Sequence, residues 1–344
     1  MVSRSLCTRP RQGFGRPFLA IVVISLASLT LVSVTEPLSA DRQSASVDSP
    51  VSQTFQEGQV LEARTGRPIA VEDWITDLAS RDVIYLGEEH RNRSHVEAAL
   101  RILRGLLAKG RRPALGLEMF GWDGQAGLDR YLSDRETGRD HFLQEARWEE
   151  NWGGAYDDYE PLISFARDRH VPVFALSPPR ALVRRVASQG LDRALADPDM
   201  SRWGMRNEPL SDEPAYREII LKQIRLCHAG LSDEAYQRMY EASVFRDEGM
   251  AKTITDHLGR TQDGAGPPAG PIVSYTGGGH IQYQLPVPNR VLRRRTVPVR
   301  QTTIYMTAYE PGRVDEVREL IRDAIADYVW LTPLGAHGSP RRCR

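Results

Sequence analysis

Cysteine is scarce, three in 344 residues, too few for a thiolate cluster or a disulfide framework. There is no surplus of charge of either sign, with 45 basic and 45 acidic side chains. That balance excludes a general nucleic-acid binder, whose affinity for phosphate needs a basic excess. No low-complexity tract or solenoid period is visible. With 41% hydrophobic and 26% charged residues, the composition excludes a disordered or collagen-like chain. What remains is material for one large domain or two modest ones around a sizeable core.

The first 40 residues differ from the rest. Arg4, Arg9, Arg11 and Arg16 precede an apolar run from Phe18 to Val34, and Leu38-Ser39-Ala40 ends it with small residues. A basic segment, an apolar segment and a small-residue site form an export signal. A run of roughly 17 apolar residues also sits at the lower limit for a membrane span, so the segment reads as a signal peptide or an uncleaved anchor. In either case the folded part is expected outside the cytoplasm, periplasmic or anchored, with no other membrane contact. Residues 1–40 carry four basic and one acidic side chain, so their removal takes the net charge from zero to −3. Cys7 precedes the apolar run, which argues against a lipid-modified N-terminus. Cys227 and Cys343 either pair or stay as thiols.

Residues 41–57 lack apolar periodicity and read as a linker. Beyond them, short apolar runs alternate with amphipathic stretches, predicting an α/β fold with a mainly parallel sheet flanked by helices. Strands are expected at Val83–Leu86, Ala114–Leu117, Val171–Leu176, Ile272–Tyr275 and Thr302–Ala308. Each is continuously apolar, as in strands covered on both faces. Helices are expected at Ser94–Ala108, Tyr159–Arg169, Pro179–Ser188 and Val314–Tyr328. Between residues 191 and 258 no strand is convincing, and polar helical patterns at Ala215–Leu226 and Asp233–Phe245 read as a smaller all-helical insertion. The α/β domain is then expected over 58–190 and 259–335, with 336–344 a tail.

One local pattern occurs twice. Val83-Ile-Tyr-Leu-Gly87-Glu88-Glu89-His90 and Ile272-Val-Ser-Tyr-Thr-Gly277-Gly-Gly-His280 each run an apolar strand into Gly-x-x-His. Glycine permits a tight turn, with φ of either sign, directly after a strand. The histidines would then face the crevice at the C-terminal edge of the sheet, where α/β proteins bind ligands. A nearby helix N-terminus would keep the rings neutral. A third strand, Ala114–Leu117, delivers Glu118 to the same rim. A lone Gly-x-x-His is commonly a turn with a surface histidine, but three such groups after three strands predict a cluster of Glu88, His90, Glu118 and His280. His90, Glu118 and His280 suit a divalent metal such as Zn, Mn or Fe; the same groups can also run acid–base chemistry without one.

These residues resemble the ChaN-like haem-binding uptake proteins of the Tiki superfamily, which also holds TraB-type and erythromycin-esterase-type proteins. The resemblance covers most of residues 70–335. It is carried by Tyr85-Leu-Gly-Glu-Glu-His90 with Ser94-His95, by Gly116-Leu-Glu-Met-Phe120, and by Trp152 to Tyr156 with Tyr159-Glu-Pro-Leu162. Pro172-Val-Phe-Ala-Leu176 with Pro179-Arg180, Phe245-Arg-Asp-Glu-Gly-Met-Ala251 and Gly277-Gly-Gly-His280 complete it. Two departures are a missing glycine before Val287-Pro288 and the missing lipid-attachment cysteine.

The resemblance implies a parallel-sheet domain with a smaller helical part, and haem bound through a tyrosine in a homodimer that sets two haems face to face. Tyrosinate is a hard anionic ligand that favours ferric iron. Tyr156 and Tyr159 lie in a matching motif; Tyr240 and Tyr236 lie in the helical stretch beside His228. Trp148, Trp152, Met119 and Phe120 are candidate walls for the macrocycle, and Arg91, Arg93, His95 or His228 candidate cations for the propionates. Two functions are therefore expected: an exported haem-binding protein of iron uptake or trafficking, or a metal-dependent hydrolase with Glu88 as general base.

Overall fold

The computed structural model describes residues 54–262, 270–335 and 338. The expected export segment, most of the linker and nearly all of the tail lie outside the described residues. Among the described residues no helix is long and apolar enough to cross a membrane.

Eight strands form one sheet: β1 (Val60–Glu62), β2 (Pro68–Ile69), β3 (Val83–Glu88), β4 (Ala114–Gly121), β5 (Val173–Ser177), β6 (Ile272–Gly277), β7 (Gln301–Ala308) and β8 (Tyr328–Thr332). Their spatial order is β2-β1-β8-β7-β3-β6-β4-β5. The six strands from β8 to β5 are parallel, while β1 runs antiparallel to β8 and to β2. The α/β fold with a mainly parallel sheet is therefore as expected, and five of the strands fall where the apolar runs placed them. The helix expected over Val314–Tyr328 instead stops at Arg322, and Tyr328 opens β8.

Thirteen α-helices appear among the described residues. α1 (Val71–Leu78), α2 (Arg93–Ala108), α3 (Gln125–Ser133), α4 (Arg139–Glu145), α5 (Trp148–Asn151), α6 (Glu160–Arg169) and α7 (Arg180–Gln189) precede the strand-poor stretch. α8 (Leu191–Leu195), α9 (Pro198–Arg202), α10 (Pro214–Cys227) and α11 (Asp233–Gln262) fill it, and α12 (Val287–Arg293) and α13 (Val314–Arg322) follow. Cys227, at the end of α10, is disulfide-bonded; Cys343 lies outside the described residues.

Strand residues alternate between the two faces because successive side chains point to opposite sides. Ile84, Leu86, Leu115, Leu117, Val273, Tyr275, Ile304 and Met306 join the core under α1, α2, α3 and α6. Val83, Tyr85, Phe174, Leu176 and Ile272 join the opposite core, closed by Met250, Ala251, Ile254 and Leu258. The second half of α11 thus covers the sheet, and this helix runs continuously past residue 258. Burial on both faces keeps these strands mainly apolar, and the polar residues they do carry, such as Ser274, Thr276, Thr303 and Thr307, are buried as well.

The topology sets up the site. The chain leaves β3, skips one place to form β4, and later inserts β6 between them. β3 and β6 then end side by side at Glu88 and Gly277, and the neighbouring β4, which runs on to Gly121, carries Glu118 beside them.

Candidate functional site

The two Gly-x-x-His segments interlock. β3 and β6 pair in parallel with Gly87 beside Thr276 and Glu88 beside Gly277. A Cβ on Gly87 would stand 2.7 Å from the Ile281 side chain and 2.9 Å from Gly278 Cα. A Cβ on Gly277 would stand 2.7 Å from His90 Cε1 and 3.0 Å from its Nε2. Each glycine therefore makes room for the other segment. Gly277 has φ −57° and neither glycine has positive φ, so close approach, rather than a left-handed turn, requires them.

Glu88 is buried at the end of β3 and accepts three hydrogen bonds or contacts. Its Oε1 takes the Tyr159 hydroxyl at 2.9 Å and meets His90 Nδ1 at 2.8 Å. Its Oε2 takes the Tyr275 hydroxyl at 2.7 Å. Burial raises the Glu88 pKa, against the lowering effect of His90 and the two phenols. The His90 side chain is 47% exposed and packs edge-on to Trp152 at 5.0 Å between ring centroids.

Glu118, at 1% side-chain exposure, anchors the second half of the cluster. Its Oε1 meets Arg246 Nη2 at 2.6 Å and His280 Nε2 at 3.3 Å. Its Oε2 accepts the Gly277 N–H. His280 Nδ1 faces Asp247 Oδ1 at 2.5 Å, and Asp247 Oδ2 accepts the Tyr216 hydroxyl at 2.5 Å. Burial alone would raise Glu118, but Arg246 and His280 hold it well below the usual carboxylate range. Burial alone would lower His280, yet Glu118 and Asp247 push it up to about 9. His90 also rises, because contact with Glu88 and the charge of Glu118 outweigh burial.

Glu88, His90, Glu118 and His280 are thus brought together, as expected. The expectation of neutral histidines is corrected: carboxylates beside both rings favour imidazolium. The expected metal on His90, Glu118 and His280 is not supported. Among the described residues no group of three or more His, Cys, Asp or Glu is arranged to hold a metal ion. The physical reason is that Glu118 is taken by a guanidinium and a backbone N–H, and both His280 nitrogens by carboxylates.

The candidate haem residues fall in two places. Tyr156 and Tyr159 pack with Trp148 beneath the rim, Tyr159 with its hydroxyl on Glu88 and Tyr156 with no partner for its buried hydroxyl. Tyr240 donates to Asp212 at 2.5 Å, within a separate cluster that includes Tyr216 and Val244. His228 is exposed at the end of α10, its carbonyl accepting the Tyr236 hydroxyl. Burial pushes the Tyr156, Tyr159 and Tyr240 phenols upward. His95 is no cation: it is fully buried and its pKa falls to about 3. Arg91 and Arg93 reach the Asp157–Asp158 segment.

Arg246, Asp247, Tyr216 and Tyr275 were not singled out as site residues from the sequence. Arg246 and Asp247 lie in the Phe245-Arg-Asp-Glu motif, which carried the signal; the two tyrosines had none.

The family of haem-binding uptake proteins of the Tiki superfamily, ChaN, matches residues 74–291. The chain belongs to this family. It is similar to the protein RETICULATA-RELATED 5, chloroplastic, of Arabidopsis thaliana, 25% identical over 300 residues that cover 81% of this chain. The match covers only 38% of that relative's length. Among solved structures, ChaN of Campylobacter jejuni with cofacially bound haem superposes with a TM-score of 0.60 at 19% identity. That match covers 80% of this chain and 98% of the other, and at this identity it supports the fold.

Proposed function

We propose that this chain binds haem in the crevice above the joined ends of β3, β6 and β4. The observation that carries the reading is the rim in a chain of the ChaN family: the half-exposed His90 imidazole meets the Trp152 indole edge-on, 5.0 Å between ring centroids. Export, pairing of two chains and a role in haem or iron trafficking belong to the same proposal. They are supported by the arginine-then-apolar N-terminal run and by the cofacial haem of the Campylobacter relative.

The residues present fit such a group in part. Trp152 offers an aromatic wall, and the adjoining cleft carries arginines for carboxylates. Bound haem would supply a ferric centre for an anionic ligand. Of the candidate tyrosines, Tyr159 is best provided, because Glu88 already accepts its hydroxyl at 2.9 Å and, with its pKa raised, is a ready acceptor for the phenolic proton. His90 Nδ1 meets the same Glu88 oxygen at 2.8 Å. Burial of Tyr159 keeps the phenol protonated until a cation replaces the proton. Tyr156 lacks such an acceptor, and Tyr240 and His228 belong to the α10–α11 region.

The test is the optical spectrum of haemin-loaded protein. Tyr159→Phe is expected to abolish a ferric-tyrosinate spectrum that His90→Ala retains. The opposite pattern would assign the iron to His90.

One observation favours a second reading. His90 is half-exposed with Nδ1 fixed on a buried carboxylate, the arrangement of an oriented acid–base group. Ester hydrolysis lost in His90→Ala, in metal-free buffer and without haem, would support that reading over the first.

A further inference from the structure

Beside the His90 rim lies a cleft of about 400 Å³, and its charge is one-sided: Arg180, Arg184 and Arg246 line it, with no carboxylate in its wall. Trp152, which packs against His90, forms one side. Arg246 alone has an acidic partner, and Glu118, at 1% exposure, stands behind it, away from solvent. Arg180 is held by neutral groups, its Nη1 donating to the Trp152 carbonyl at 3.0 Å and its backbone N–H to Asn151 Oδ1 at 3.1 Å. Arg184 lies one turn further along α7 and is exposed.

Like charges four residues apart on a helix repel, and here a third cation joins them. Burial lowers the Arg180 pKa, and Arg184 and Arg246 lower it further. The fold therefore keeps unneutralised guanidiniums around a concave space. Guanidinium is the side chain that matches a carboxylate with two parallel hydrogen bonds.

We propose that this cleft is the docking site for the carboxylates of the bound ligand, received by Arg180 and Arg184 with the ligand's flat part against Trp152. In the haem reading, on which this identity of the ligand rests, the carboxylates are the propionates. The sequence pointed for that task to Arg91, Arg93, His95 and His228; the cleft assigns it to α7.

The experiment compares haemin with its dimethyl ester, which lacks the anions, on wild type and Arg184→Ala, with circular dichroism as the fold control. Because Arg184 is exposed, its loss leaves the core intact. Haemin affinity is expected to fall about tenfold in the variant, as for one lost charge-assisted pair, while ester affinity stays unchanged. Equal losses for both ligands, or none for haemin, would overturn the proposal. If wild type binds no haemin, the haem reading fails and the cleft is judged by calorimetry with glutarate and inorganic phosphate. Saturable binding of glutarate that Arg184→Ala abolishes upholds the carboxylate site with a free carboxylate as its source. Binding of phosphate alone, or of neither, rejects it.

Discussion

Acid should destabilise this protein through one histidine that never meets solvent. His95 sits in the first turn of α2, fully buried, and its Nδ1 accepts the Glu89 N–H at 2.9 Å. Its Nε2 has no hydrogen-bond partner. A proton added to Nδ1 would break the Glu89 contact and bury a charge. Burial, with a smaller contribution from the His90 charge, lowers the pKa from 6.5 to about 3. The sign follows directly. Below pH 6.5 the unfolded chain takes up a proton that the folded chain refuses, so stability is fully present above that pH and falls as pH drops. The slope approaches about 1.4 kcal/mol per pH unit, which by pH ~4.5 amounts to roughly 2–3 kcal/mol. His95→Asn places an amide oxygen where Nδ1 stands and does not titrate. Urea denaturation of both proteins at neutral pH and at pH ~4.5 isolates the difference, because other groups titrate alike in both. The stability of wild type relative to the variant should drop by roughly 2–3 kcal/mol over that range. A difference that does not change with pH would refute the account of His95.

Three further outcomes follow from the rim. Glu118→Gln removes the charge facing Arg246 and His280 and should cost about 3–5 kcal/mol at neutral pH; histidine NMR should show the His280 pKa falling from about 9 toward its ordinary value. The raised His280 also gives stability that is fully present below pH 6.5 and lost as pH climbs through about 9, so His280→Gln should flatten the alkaline limb of the stability profile. Gly277→Ala has an ordinary backbone φ but sets a Cβ 2.7 Å from His90 Cε1. The fold should survive by circular dichroism while the His90 ring resonances shift; unchanged resonances would contradict the interlocked geometry.

The sequence made the buried half of the sheet legible because burial on both faces leaves strands continuously apolar. β3, β4, β5, β6 and β7 could be read for that reason. β1 and β2 have three and two residues, too short for any periodicity. β8 was not expected, and its first residue, Tyr328, was read as the end of a helix because Ile321, Ile325 and Tyr328 continue the helical spacing of α13. The four rim groups were legible because each lies within or just after one of three apolar runs, Glu88 and His90 at the end of β3, Glu118 in β4 and His280 past β6. Arg246 and Asp247 were legible only as part of the Phe245–Ala251 motif, because nothing local shows that α11 turns them toward Glu118 and His280. Arg180 and Arg184 look like the solvated face of α7 until the tertiary structure sets them with Arg246 along one cleft.

Haem binding at the rim is decided by a haemin titration followed at the Soret band. Saturation near one haem per chain is expected, with the endpoint lost in Trp152→Ala, which removes the indole that packs against His90. Soret absorbance that rises without saturating, or saturation that the substitution leaves untouched, would contradict it.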